Sequence, residues 1–438
     1  MATGARSESA CSGRAIALVT VRRHWIPPAG LLAGFSAHGI SWVLLLVLAT
    51  RGSSASGLQS LAYLHLVALG WLTMIALSIL VHVIPTFTEV PWKGEWLARR
   101  MLAVYGIGVV ALVAAFWNDA LWALPWAGTL VALGVFGYVA PALYTLASGF
   151  AQARVEAAIA RALFVTIGSL LAAVSLGVAL GWALAGRLSA SLLDSGPLVH
   201  ASFGVIGWLT VLVMGVSTRT VRPITGARSR LTWVHAAVGV AEIGGLFLGV
   251  GGLAFRQPPV AWLGLAFISA GALLYVGDLG DILRRATVSH RVPQAFFWAA
   301  AAWLIAGLAL AMGALAGRDS APAALYVLLV GWIGQMVNAH LYHIGIRLMV
   351  TMVRGDDDET RPGELLAQPL SWLSFALFQV AVIAGGVGSL RGASPFVAVA
   401  ACSGLAGWAV MAANIAVARK RAMSGASHIS TTSSGRCT

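Results

Sequence analysis

Twelve apolar runs, most of them near or above the twenty residues that a hydrocarbon core of about 30 Å demands of a helix, leave this chain one kind of structure. Inside lipid no water bonds the backbone, so a crossing segment must satisfy its own N–H and C=O groups, which runs of this length do as helices. The runs fall at about 26–50, 57–85, 99–117, 120–148, 158–186, 197–218, 230–254, 258–284, 293–316, 321–353, 366–390 and 393–418. Composition agrees, because 59% of the 438 residues are hydrophobic and only 10% charged, well outside globular usage. The expected product is an all-α membrane domain over 26–418. Residues 1–25 and 419–438, rich in Ser, Thr, Ala and Gly, are expected to be disordered cytoplasmic tails.

Basic residues near span ends are retained on the cytoplasmic side. Of the 28 Lys and Arg residues, all but Arg51, Arg187, Arg256, Arg318 and Arg391 fall on the face that holds both termini. Both termini are therefore expected in the cytoplasm, with the chain in the cytoplasmic (inner) membrane. The net charge of +13 then follows from topology and from anionic lipid in the bilayer, with no nucleic-acid partner implied. The first run is too long for the h-region of a cleaved signal. Cys11, Cys402 and Cys437 are scattered, which argues against a disulfide framework or a CxxC metal site.

One helix is used three times. GWLTMIALSILVH at Gly70–His82, GWLTVLVMGVSTR at Gly207–Arg219 and GWIGQMVNAHLYH at Gly331–His343 sit on spans 2, 6 and 10, four helices apart. That period predicts twelve helices in three four-helix arcs. The small residue of each Gly-Trp pair allows close backbone approach, and the Trp fills the facing groove.

Around these pairs lie two layers of imidazole. His65 and His200 form an outer layer, while His82, Arg219 and His343, with His340 one turn earlier, form an inner one. From His65 to His82 a helix climbs about 25 Å, too far for one metal or macrocycle to use both. Neutral imidazole is a usual ligand of haem and copper, so His65 and His200 are candidate ligands. The alternative is that each donates to a neighbouring helix carbonyl. His340 and His343, spaced i,i+3, are expected on one face, where with His82 and Arg219 they would hold an anionic group such as a haem propionate, or else be interfacial side chains. Glu242, with His235 seven residues before it, is a candidate proton-carrying pair. A Glu bonded to a neighbouring helix is the alternative. His38 is ambiguous; His24, His290 and His428 fall in loops or tails and carry no case; Asp278 and Asp281 read as a solvated helix end, and Asp356–Glu359 as a solvated loop.

Twelve spans in threefold plan and a span 2 reading YLHLVALGWLTMIALSILVHVIP resemble the subunit I superfamily of haem-copper oxidases. The resemblance implies a haem ligand at His65 and a copper ligand at His200. The HPxVY pattern of span 6 is absent, no His-His pair occurs at span 7, and Ala324-Leu325-Tyr326 stands where span 10 would carry HxH. An active terminal oxidase is therefore not expected. HASFGVIGWLTVLVMGVSTRTVRPITGAR, His200–Arg228, and VIPTFTEVP, Val83–Pro91, are similar to the NnrS-like, non-catalytic branch, membrane haem proteins linked with nitric oxide and denitrification stress. That likeness implies haem, with copper beside it, electron transfer or nitric oxide handling, and respiratory-chain or denitrification proteins as partners. The rivals are a proton-coupled transporter using Glu242 and His235, and a cofactor-free respiratory assembly subunit.

Overall fold

The computed structural model describes residues 26–52, 57–152, 156–288, 290–355 and 360–433, with side chains placed from 28 to 424 within these. The acidic run Asp356–Glu359, Cys11, His24, Cys437 and the side chain of His428 lie outside what is described. Twelve helices are long and apolar enough to cross a membrane: Pro28–Arg51, Leu58–Thr88, Glu95–Trp117, Leu121–Ala151, Ala157–Leu184, Leu192–Thr225, Thr232–Ala254, Pro258–Arg284, Arg291–Leu315, Ala321–Arg354, Gln368–Arg391 and Ser394–Ser424, here spans 1 to 12. No strand occurs among the described residues, and the chain is an all-helical multi-pass membrane protein. The last helix continues to Ser433, past the expected span end at 418.

Spans 2, 6 and 10 meet one another, and the other helices pack around them. Each of the three changes from α-helix to π-helix at its Gly-Trp pair, over Leu66–Thr73, Ser202–Thr210 and Val327–Ile333. A π turn holds one residue more than an α turn and locally widens the helix. The same widening at three matching places shows that the repeat extends to the backbone.

The glycine of each pair admits the span before it. A Cβ at Gly70 would stand 3.3 Å from Ala37 of span 1, one at Gly207 would lie 2.4 Å from Ser169 of span 5, and one at Gly331 would be 2.9 Å from Trp303 of span 9. The tryptophans point the other way, towards the centre. Trp208 donates through Nε1 to Thr73 Oγ1 at 2.9 Å, and Trp332 donates to Thr210 Oγ1 at 3.1 Å. Span 10 is thus tied to span 6, and span 6 to span 2. The third link fails because Gly334 stands where the other copies have threonine. The Trp71 ring occupies that space, its Nε1 unpartnered and its face stacked on His38 at 3.5 Å.

Spans 2 and 6 also end alike. Thr88 and Thr225 each bond the carbonyl four residues back, to Ile84 at 2.8 Å and Val221 at 3.0 Å, and each accepts the N–H two residues on. The next residue, Glu89 or Gly226, is left-handed, at φ 55° and 73°, the usual way to stop a helix. VIPTFTEVP and the Thr225-Gly226 turn are therefore one structural element used twice.

Replacing Thr73 or Thr210 by valine removes the acceptor and strands a buried indole N–H. Each substitution is expected to cost about 1 kcal/mol, read as a lower unfolding midpoint in detergent. A double variant Thr73→Val, Trp208→Phe that is no more stable than additive singles would show that the bond contributes nothing.

Candidate metal centre

His65 and His200 occupy the last turn of α-helix before the π segments of spans 2 and 6. They approach from different helices, with ring centroids 6.2 Å apart and planes 25° from parallel. His65 Nδ1 faces its own helix at Leu61 O, 2.8 Å away, and His200 Nδ1 faces Ala173 O of span 5 at 2.9 Å. A carbonyl only accepts, so both Nδ1 atoms carry the proton and both Nε2 atoms keep a lone pair. Backbone anchoring of one ring nitrogen is how proteins orient a histidine whose other nitrogen binds metal. Of the two alternatives open in the sequence, the bond to a neighbouring helix carbonyl is seen for His200, while His65 bonds its own helix.

The spacing suits a shared ion. Two imidazoles in line through Nε2 stand about 6 Å apart between centroids, from metal–nitrogen bonds of about 2.0 Å and about 1.1 Å from nitrogen to ring centre. Phe116 stacks on His65 at 4.9 Å, and a Cβ at Gly177 would lie 3.0 Å from His200 Cε1. Phe116 and Gly177 thus crowd one side of each ring. Among the described residues no group of three or more His, Cys, Asp and Glu side chains is placed to hold a metal.

The opposite end of the central helices is divided. Arg219 lies half exposed, 3.6 Å from Glu156 and 6.0 Å over the Phe87 ring. His340 bonds Met336 O through Nδ1 at 2.7 Å and takes the Thr220 hydroxyl at Nε2, 2.8 Å away. His343 turns elsewhere, its Nδ1 3.3 Å from Nδ1 of His290. The expected common face of His340 and His343 is lost because a further π segment, Leu341–Gly345, intervenes. His82 is half-buried on span 2, its carbonyl accepting from Thr86. The structure does not gather His82, Arg219, His340 and His343 around one anion.

His290, given no role from sequence, is buried between spans 8 and 9 with Nε2 unpartnered. His235 pairs with Asp278 at 3.3 Å, and Asp278 also accepts from Ser229 at 2.6 Å. Asp278 is therefore turned inward, which corrects its reading as part of a solvated end. Asp281 does bond Arg285 as that reading had it. Glu242 is buried with both carboxyl oxygens unpartnered and makes no pair with His235. His38 is also fully buried, between Trp71 and Phe378, and neither nitrogen finds a partner.

No protein-family model matches the chain, and no curated protein matches it. Among solved structures it is similar to a haem-copper terminal oxidase determined as a dimer by cryo-EM, with a TM-score of 0.54 and 13% identity over 91% of this chain and 83% of that one. The chain has a haem-copper oxidase-like fold. At that identity the likeness is one of helical plan.

Burial holds the His290 imidazole below its ordinary 6.5, at about 4. The folded protein thus refuses a proton that the unfolded chain takes up below 6.5, so this contribution is full at neutral pH and fades as pH falls towards 4. From pH 7 to pH 5 the loss is about 2 kcal/mol. His290→Gln should show a smaller drop in unfolding midpoint over that range, and an equal drop in both proteins would refute the assignment.

Proposed function

We propose that this protein is a membrane metalloprotein on an oxidase-like scaffold, with one copper ion held by His65 and His200, acting in electron transfer or nitric oxide handling and not in oxygen reduction. The observation that carries this reading is the pair of imidazoles, each fixed through Nδ1 to a backbone carbonyl and each with Nε2 free. Two neutral nitrogen donors in an apolar lining suit copper(I), a soft ion content with few ligands. Bound copper would supply one-electron chemistry. The chain's own residues orient the donors, and Phe116 shields one face of the His65 ring from other ligands.

Oxygen reduction is set aside because Tyr326, which stands on span 10 where the resemblance would place part of a histidine pair, is packed against Gly385 and donates to Ala381 O. It has no freedom to serve a metal. Three four-helix arcs are supported by the Gly-Trp helix recurring every fourth span, and cytoplasmic termini in an inner membrane by the placement of Lys and Arg. The proposal also takes respiratory-chain or denitrification proteins as the electron partners. The resemblance of His200–Arg228 and of Val83–Pro91 to the NnrS-like branch is what supports the nitric oxide role.

Haem is the competing occupant. It is implied by the resemblance, and the packing around His65 and His200 disfavours it.

Metal analysis and an optical spectrum of purified protein decide the matter. One copper per chain is expected, lost in His65→Ala and in His200→Ala, with no Soret band in any of them. A Soret band abolished by His65→Ala would replace copper by haem. A colourless, copper-free protein that copurifies with respiratory partners would leave an assembly subunit.

A further inference from the structure

A cavity of about 440 Å³ lies among spans 5, 6, 7 and 8, apart from the histidine pair. That volume is in the range of small-molecule sites. Its wall is mainly apolar, from residues such as Val211, Met214, Val238 and Ile282. Most of its polar groups are already used: Tyr275 and Ser217 bond each other at 3.0 Å, and Asp278 holds His235 and Ser229.

Glu242 is the exception. It lines the cavity, is 1% exposed, and neither carboxyl oxygen has a partner. Opposite it stands Gly271 of span 8, where an added Cβ would be 2.8 Å from Glu242 Oε1. The carboxyl is thus lodged against bare backbone, and no side chain from that helix reaches it. A buried carboxylate without a partner costs several kcal/mol. A proton alone would neutralise it and still leave a hydroxyl and a carbonyl without hydrogen-bond partners at the cavity wall.

The charges bordering the cavity are unequal. Glu156, Glu242 and Asp278 line it with Arg161; Glu156 is paired with Arg219 and Asp278 with His235, which leaves Glu242 as the acid without a partner. Glu156, Arg161 and Val240 are exposed, so the space reaches the surface between spans 5 and 7. Apolar walls, an excess of acid and a buried unpaired carboxyl together ask for an amphiphilic cation that can donate hydrogen bonds.

We propose that this cavity binds a hydrophobic amine, its ammonium group on Glu242 and its apolar body against spans 6 and 7. The inference goes beyond the copper reading and does not depend on it. The histidine pair and the cavity use different residues, so metal content and amine binding fail separately.

The test is calorimetry on the full chain in lipid nanodiscs with 4-phenylbutylamine and its neutral counterpart 4-phenylbutanol. The amine should bind saturably, one per chain, and tenfold or more tighter than the alcohol. Glu242→Gln should abolish that preference while copper content stays unchanged and the unfolding midpoint does not fall, and Glu242→Asp should keep part of it. Equal affinity for amine and alcohol in the unmodified protein, or an undiminished preference in Glu242→Gln, would overturn the proposal and leave a slot for a lipid chain. Should Glu242→Gln fail to fold, the amine-to-alcohol ratio of the unmodified protein and of Glu242→Asp still decides.

Discussion

Lipid tails are as apolar as leucine, so helices in a bilayer gain little by hiding apolar surface from it and associate through close packing and interhelical hydrogen bonds. Here both devices are concentrated at one place, the widened turn at the Gly-Trp pair. On one side the glycine lets the preceding span touch backbone, and on the other an indole N–H reaches the hydroxyl of the next central helix. The linkage runs from span 10 to 6 to 2 and stops there. Because Gly334 has no hydroxyl, Trp71 settles face to face with His38, and a repeat that began as threefold ends as a directed chain of two bonds.

The π segments also decide which histidines can meet. One extra residue in a turn rotates everything beyond it by about 100° relative to α-helical counting. His65 and His200 both precede the first widening, on helices that are regular up to that point, and they come together. The residues beyond it were aligned by counting twelve positions from the glycine. Spans 2 and 6 carry one π segment each, whereas span 10 carries a second at Leu341–Gly345. His343 is thereby rotated to His290, while His340, just before it, faces Thr220.

Helix number and the threefold placement of the Gly-Trp element were legible because length, apolarity and a recurring Gly-Trp dipeptide are one-dimensional properties. The pairing of His65 with His200 was legible for the same reason, since both lie a few residues before that element. What was not legible depended on backbone geometry or on distant partners. Nothing in the string GWLT distinguishes a π from an α turn, and threonine after Gly-Trp reads as ordinary span filler until a tryptophan from another span is seen to use it. His290 fell in a connection and was set aside, although burial there comes from spans packing over it. Asp278 looked solvated beside Asp281 and its arginines, because its partners His235 and Ser229 lie more than forty residues away in the chain and nothing local announces them. The sequence does carry a signal for one helix end used twice, since Thr88-Glu89 and Thr225-Gly226 stand at equal distance from Gly70 and Gly207.

Span 6 ties these features together. In their most apolar stretches span 2 is 72% buried and span 10 is 78%, while span 6 is only 50%. A central helix that its neighbours leave half uncovered has surface to give to something other than protein. It contributes His200 near one end and, towards the other, the Val211–Val221 face of the cavity that contains Glu242. The two places differ in kind: at His200 the neighbours close in, as Ala173 and Gly177 of span 5 show. Around Glu242 the neighbours stand apart and leave a chamber. A carboxyl kept without a partner in such a chamber is a standing cost to the fold, and a fold retains such a cost where an occupant removes it.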